Sequence, residues 1–392
     1  MKWPTFHEFF AGSGAVRLAI GDLMTCAFSN DWDPTKAAAY VANFGTEELR
    51  VADIEALTTA DLPGAPALVW ASPPCVDISL AGRQGGLNAA RSGVFWAFAE
   101  LMGGLVAQGR APTVIAVENV TALLSSNGGA DFVAIVEAFV GMGYAIGAVE
   151  IDAADFVPQS RRRVFIVAVR ADADLPQQVT QDGPSQPYHT RAIIAAHERL
   201  AAPLRRVWRW WRLPLPPGRE FALADVIQAD VRGHPPDLAR VLELMAPEHR
   251  AKLDVALQGR GEGEIVIGAI NRRMRGGRQV AEIRLDGLAN ALRTASGGSS
   301  IQTLLVGDEI GVHARRITPR EAARLMGIPD CYRLPSGVTA AHNLIGDGVC
   351  VPVVRWLYRH VLGPLLATEF LADLSRTPAG GLALSRASGA RW

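Results

Sequence analysis

TFHEFFAGSGAVRLAI, residues 5–20, reads as a short apolar strand, a tight turn on Gly12 and Gly14, and the start of a helix. Glycines there let the backbone come close to a ligand, and the helix N-terminus behind them favours that approach. The third glycine of a dinucleotide fingerprint is absent, because Arg17 stands in its place. The same alternation continues downstream. CAFSND (26–31) is a second strand, PTKAAAYVANF (34–44) a helix opened by Pro34, and ALVWASPPC (67–75) an apolar strand halted by two prolines. TVIAVENV (113–120) is another strand, a helix follows over about residues 131–142, and RRVFIVAVR (162–170) is the last strong strand. Short apolar strands alternating with helices predict an α/β fold with a mostly parallel sheet covered on both faces. In such sheets ligands sit beyond the carboxyl ends of the strands, where FFAG, SND, SPPC and ENV all fall.

Outward from that core, the chain has 392 residues, 49% hydrophobic and 20% charged, enough for two domains and too apolar for a disordered chain. No run approaches the ~18 apolar residues of a spanning helix. The start lacks a signal-peptide core, so secretion is not expected and a cytoplasmic location is. The four cysteines, Cys26, Cys75, Cys331 and Cys350, form no C-x-x-C pair, which argues against a zinc cage or a disulfide framework. Basic and acidic residues balance at 39 each, but unevenly. Residues 1–170 carry 11 basic against 17 acidic side chains, and residues 191–320 carry 21 against 14. The net +7 of the second stretch points to a polyanionic partner met mainly there.

Beyond Arg170 the texture changes. Residues 171–188 are polar and rich in breakers and read as a linker. Residues from about 190 to 310 mix short helices, the aromatic cluster WRWWR (208–212) and Gly-rich strands, and read as a separate irregular domain. The cluster either anchors that small domain or stacks on nucleic acid, the first being the better fit. TPREAARLMGI (318–328) is an amphipathic helix with Thr318 as cap and Pro319 at its first position. GVCVPVVRWLYRHVLGPLL (348–366) is an apolar helix that must pack on something large, and the tail is expected to be disordered. The expected boundaries are 1–173, 174–317, 318–371 and 372–392.

Chemistry collects at the strand ends. Asp31 lies 17 residues after Gly14, where a carboxylate can accept ribose hydroxyls. Trp32 can stack on an adenine or pack in the core, and Asp53 can accept from an adenine amino group. Without a pyrophosphate fingerprint, S-adenosylmethionine fits better than a dinucleotide. Cys75 is a thiol at a strand end, followed by a polar loop with four glycines in eighteen residues, a plausible nucleophile under a lid. Glu118 ends a continuous apolar strand, so desolvation raises its pKa and suits it to hold a proton near neutral pH. In QSRRR (159–163), Arg161 and Arg163 point to one side of a strand and suit a phosphate or a carbonyl oxygen.

In this order the blocks resemble the DNA (cytosine-5) methyltransferases of prokaryotic and phage type. FAGSGAVRLAI is similar to the family's cofactor glycine motif, SNDWD and ADI to its ribose and adenine motifs, and SPPC to its Pro-Cys motif. VENV, QSRRR, ITPREAARLMGIPDCY and IGDGVCVPVVRWL are similar to its later blocks. The resemblance covers nearly the whole chain except about residues 174–310. It implies a Rossmann-like S-adenosylmethionine-dependent large domain and a smaller irregular target-recognition domain. It implies transfer of a methyl group to C5 of a flipped-out cytosine in a specific double-stranded DNA sequence, through a bond from Cys75 to C6. Glu118 would donate a proton to N3 or share one with it, and Arg163 and Arg161 would hold the base's O2 or a phosphate. The cofactor residues carried over are Phe10, Gly12, Ser13, Gly14, Asp31, Trp32, Asp53, Ile54 and Pro74. Asp347 stands where the family has Asn, and an aspartate accepts hydrogen bonds but cannot donate them.

Ser79 would contact the flipped nucleotide's phosphate, Gln84 would help fill the vacated space, the loop from Val76 to about Gly93 would close over the base, and Asn119 would position the Pro74–Cys75 turn. Arg272, Arg273, Arg275 and Arg293 are the candidate DNA contacts. A monomer is expected, no membrane or metal is involved, and a cognate restriction endonuclease is the conceivable protein partner. The alternatives are a tRNA cytosine-5 methyltransferase and a DNA-binding protein on an inactive scaffold. The size of the middle region opposes the first, and the intact Cys75, Glu118 and Arg163 set opposes the second.

Overall fold

The computed structural model describes residues 4–74, 93–228, 231, 235–294 and 301–367. The N-terminal part runs β1 (Thr5–Phe9), α1 (Ala15–Ile20), β2 (Thr25–Asp31), α2 (Pro34–Phe44), β3 (Leu49–Val51), β4 (Leu68–Ala71), α3 (Val94–Ala107), β5 (Val114–Val120), α4 (Ala130–Gly141), β6 (Tyr144–Asp152), β7 (Gln159–Ser160) and β8 (Arg162–Arg170). Seven of these strands form one sheet in the order β3-β2-β1-β4-β5-β8-β6. All pairs are parallel except those of β8, which runs antiparallel to β5 and β6. The expected mostly parallel sheet is therefore present. β6, for which no strand is expected from the sequence, forms its edge.

The period of two explains both covered faces. Leu68, Trp70, Val114, Ala116, Phe165, Val167 and Val169 pack in one core, while Val69, Ala71, Ile115, Val117, Val164, Ile166 and Ala168 pack in the other. The first face is covered by α1 and by the returning C-terminal helices, the second by α3 and α4. Helix α2 starts where the Asp33 carboxylate accepts the backbone N–H groups of Thr35 (2.7 Å) and Lys36 (3.3 Å), with Pro34 at its first position.

The next elements are β9 (Thr180–Gln181), α5 (Arg191–Glu198), α6 (Ala202–Val207) and β10 (Trp210–Trp211). They correct the linker reading. Val179, Tyr188 and Trp211 join the first core, and Ile193, Ala196, Leu200 and Trp208 the second. Gly147 on β6 has no room for a side chain, because the Arg209 carbonyl passes against it. The aromatic cluster thus anchors the edge of the large sheet rather than the small domain, and the first core itself continues into the second module through Leu223, Val226, Ile267, Ala269, Leu304 and Val306. Polar, breaker-rich residues lie between apolar anchors too widely spaced to show a period.

The second module contains α7 (Leu223–Val226), α8 (Pro235–Glu243), α9 (Pro247–Gln258), β11 (Val266–Arg275), β12 (Arg278–Arg284), β13 (Ala289–Asn290), β14 (Thr303–Asp308) and β15 (Gly311–Arg316). It is more regular than expected: β12-β11-β14-β15 is an antiparallel sheet whose core holds Val241, Met245, Leu253, Ile270, Ala281, Ile283, Leu305 and Ala314. Short β13 leaves it to pair in parallel with β7 of the large domain.

The chain returns through α10 (Pro319–Leu325), α11 (Val338–Asp347) and α12 (Val351–Leu357). Thr318 and Glu321 cap α10 reciprocally, as the sequence predicts for Thr318 and Pro319. Glu321 also holds Arg315 in a fully buried bidentate pair at 2.6 and 2.8 Å. Helix α12 packs on α1, and Arg355 grips Asp22 and the Ala19 carbonyl. Residues expected as a disordered tail, 372–392, lie outside the described residues.

Candidate active site

The carboxyl ends of β1, β2, β4 and β5 surround a cavity of about 540 Å³. On one side, Phe10 and Gly12 take left-handed backbone angles, φ 57° and 53°, which fold the chain sharply after β1. The Gly12 N–H donates to Asp31 Oδ2 (2.8 Å), and the Asp33 N–H donates to Asp31 Oδ1 (2.9 Å). The turn therefore presents a buried carboxylate at the end of β2, and its burial pushes its pKa up. Trp32 beside it is 69% exposed at the cavity wall, so it is not a core residue. Asp53 caps a short helical turn through the Glu55 N–H (3.0 Å) and lines the cavity with Ile54 and Pro74.

Two expected cofactor residues play another part. Gly14 does not line the cavity; a Cβ there would stand 2.5 Å from the Phe44 ring and 3.0 Å from Tyr40, so glycine is needed for α2 to approach. Ser13 is fully buried behind the turn, its carbonyl accepting the Tyr332 hydroxyl (2.9 Å). The turn's shape depends on both, but they make its frame and not its lining.

At the far side of the same cavity lies Glu118, 6% exposed at the end of β5. Its Oε1 is 3.0 Å from Arg163 Nε. Burial raises its pKa, and the Arg163 and Arg161 guanidiniums oppose that rise. Asn119 points the other way along the strand: its amide donates to the Pro73 carbonyl (3.0 Å) and accepts the Val120 N–H (2.8 Å). It thereby fixes the turn that leads to Pro74, as expected. Cys75, Ser79 and Gln84, and with them the expected lid, lie outside the described residues.

Arg161 corrects the expectation that it would hold the base. Its guanidinium is buried and donates to the carbonyls of Leu292 (2.9 Å), Gly346 (3.0 Å) and Gly348 (2.7 Å). Those bonds tie the second module and the returning helix to the sheet. Strand alternation places Arg161 and Arg163 on one side, but it does not reveal that carbonyls 131 and 185 residues away already occupy the first of them. Gln159 is a companion node, bonding the Leu292 N–H (3.0 Å) and the Leu325 carbonyl (2.7 Å).

Three lining residues escape the sequence reading. Glu8, the fourth of the five residues of β1, is 1% exposed; its Oε1 accepts the Val16 N–H (3.2 Å) and its Oε2 has no hydrogen-bond partner among the described residues. Burial pushes its pKa up to about 8. A charged side chain inside FHEFF is the signal that points to it, since buried acids need a partner. Asn30 clamps the Arg50 and Ala52 carbonyls (2.9 Å each) and sets the spacing of β2 and β3. Lys36, on α2, pairs with Asp347 at 2.6 Å.

The DNA candidates separate. Arg272, Arg273 and Arg275 lie along β11 near a Gly276–Gly277 turn, the last two sharing Glu282 at 3.3 and 2.9 Å. Arg293 is exposed elsewhere, its backbone packed so closely on Gly346 that a Cβ there would meet it at 2.5 Å. It therefore borders the cavity and not the hairpin.

Among the described residues no side chain crowds the Gly12 turn, a carboxyl with an unpartnered oxygen lines the wall, and an exposed tryptophan stands beside an acid. These features fit a nucleoside with a cationic amino-acid arm. A family model described as C-5 cytosine-specific DNA methylase matches residues 5–207 and 257–362. Type II methyltransferase M.NlaX of Neisseria lactamica is 26% identical over 373 residues, covering 92% of this chain and 97% of that protein. M.HhaI of Haemophilus parahaemolyticus is 23% identical over 357 residues, covering 90% and 92%. Among solved structures, a Spodoptera frugiperda DNMT2 mutant superposes with a TM-score of 0.59 at 16% identity, over 92% of this chain and 99% of that one, which speaks to the fold alone. The unmatched interval between the two family segments spans β10, α7, α8 and most of α9, where the small module begins.

Proposed function

The chain belongs to the C-5 cytosine-specific DNA methylase family; it is a DNA (cytosine-5) methyltransferase, and from that premise we propose how its residues divide the work. S-adenosylmethionine, bound along the Gly12 turn, supplies the methyl group. Asp31 accepts from the ribose, Trp32 stacks on the adenine, Asp53 accepts from its amino group, and the free Glu8 oxygen receives the ammonium of the amino-acid arm.

Cytosine C5 is a weak nucleophile. The Cys75 thiolate adds to C6 while Glu118 gives a proton to N3, so electron density moves to C5 without a full negative charge on the ring. After C5 takes the methyl group, the C5 proton leaves to water, the thiolate is expelled from C6 and the N3 proton returns to Glu118, which restores the aromatic base and the acid. Arg163 orients the Glu118 carboxyl and faces the base's O2. A base inside a duplex cannot reach this cavity, so the target is flipped out. Arg272, Arg273 and Arg275 contact the duplex from the second module, and Arg293 contacts it beside the cavity. Action on DNA makes the cytoplasm the working compartment; no helix among the described residues is long and apolar enough to cross a membrane.

The observation that carries this reading is one cavity lined both by the exposed Trp32 beside Asp31 and by the buried Glu118 paired with Arg163 at 3.0 Å. Duplex DNA with 5-fluorocytosine at the target tests it, because fluorine cannot leave as a proton does. With S-adenosylmethionine the wild type should form a denaturation-resistant adduct and Cys75→Ala none. An adduct that survives Cys75→Ala would overturn the assignment.

A further inference from the structure

Lys36 and Asp347 are 311 positions apart in the chain, yet Lys36 Nζ donates to Asp347 Oδ2 at 2.6 Å on the wall of the cofactor cavity. Neither charge suits its own helix. Lys36 is the third residue of α2, a cation at a helix N-terminus. Asp347 is the last residue of α11, an anion at a helix C-terminus. Each position opposes the helix dipole, so local helix stability does not account for either residue.

Nor is the pair needed as a latch. The returning segment is already bound to the N-terminal helices by Asn43 and Arg333, which exchange bonds of 3.0 and 2.8 Å. The Tyr332 hydroxyl on the Ser13 carbonyl and the Arg355–Asp22 pair add to this. A partly exposed ion pair adds little to such a set. What the pair does offer is chemical: a carboxylate only accepts and an ammonium only donates, and side by side they form a donor–acceptor couple. One ammonium hydrogen serves Asp347, and the two others have no hydrogen-bond partner among the described residues.

We infer that Lys36 is a further cofactor-binding residue. With Asp347 it forms a couple that takes an oxygen acceptor of S-adenosylmethionine, either a ribose hydroxyl or the amino-acid carboxylate. An asparagine at 347 would carry donor and acceptor in one amide; here two residues share that role. The inference rests on the cofactor reading above.

Calorimetric titration with S-adenosylhomocysteine tests it, with thermal melting as the folding control. Lys36→Met should weaken binding about tenfold, the usual order for a lost charged hydrogen bond. Lys36→Met with Asp347→Asn should return to within about threefold of wild type, because the amide supplies the donor. Lys36→Met with Asp347→Ala should stay weak. That last variant separates a lost contact from a stranded carboxylate, which it no longer contains. Methylthioadenosine, which lacks the amino-acid arm, identifies the acceptor: Lys36→Met weakens it only if the ribose is the partner. Binding by Lys36→Met equal to wild type, or equal rescue by both double variants, overturns the inference; Lys36→Gln serves should Lys36→Met not fold. Failure of the wild type to bind S-adenosylhomocysteine would instead overturn the cofactor reading itself.

Discussion

Glu8 and Arg161 show how a single residue's part depends on what surrounds it. Glu8 holds its proton up to about pH 8, because burial disfavours the charged form, against an ordinary value of 4.5. In the unfolded chain the proton leaves at the ordinary value. Between about pH 4.5 and 8 the unfolded state therefore binds fewer protons than the folded state, and stability falls as pH rises through that window. Glu8→Gln, which mimics the protonated acid, should leave the melting temperature of the cofactor-free protein nearly unchanged at pH 5. It should raise it at pH 8.5, and equal shifts at both values would contradict the burial argument. Arg161 was legible as an arginine on the Arg163 side of a strand and not as a structural clamp. Its three carbonyl partners come from residues 292, 346 and 348, and no local pattern announces them.

At the scale of elements, caps and periods carried most of the reading. Pro34 after Asp33, and Thr318 with Pro319 ahead of Glu321, mark helix starts by the backbone N–H groups they satisfy. The strands of the large sheet declare themselves by length and by apolar runs. The antiparallel sheet of the second module does not, since its polar face and glycine turns blur the alternation. Its β11–β12 hairpin makes a definite prediction. Arg273 and Arg275 share one acid, Glu282, so charge remains for a phosphate. Replacing both by alanine should weaken DNA binding across sequences and reduce the salt slope of log affinity by about one per lost phosphate contact. Titrations at several salt concentrations check this, and an unchanged slope would take the hairpin off the DNA.

For the whole molecule, the informative disagreement lies between residues 174 and 213. Composition placed them in a linker and a small domain, but their apolar residues complete both cores of the large sheet. Trp211, fully buried, therefore belongs to the large domain. Trp211→Ala should cost about 3–5 kcal/mol, and hydrogen exchange should locate the loss along β6 and β8 and not in the hairpin module. From residue order alone came the strand–helix alternation, the strand-end positions of Asp31, Glu118 and Asn119, and the family itself, since these depend on local periodicity and short motifs. The fold alone determined which of those residues face the cavity, that Arg161 ties three segments together, and that Lys36 meets Asp347. Such facts rest on contacts between positions far apart in the chain, and no local regularity in the sequence encodes them.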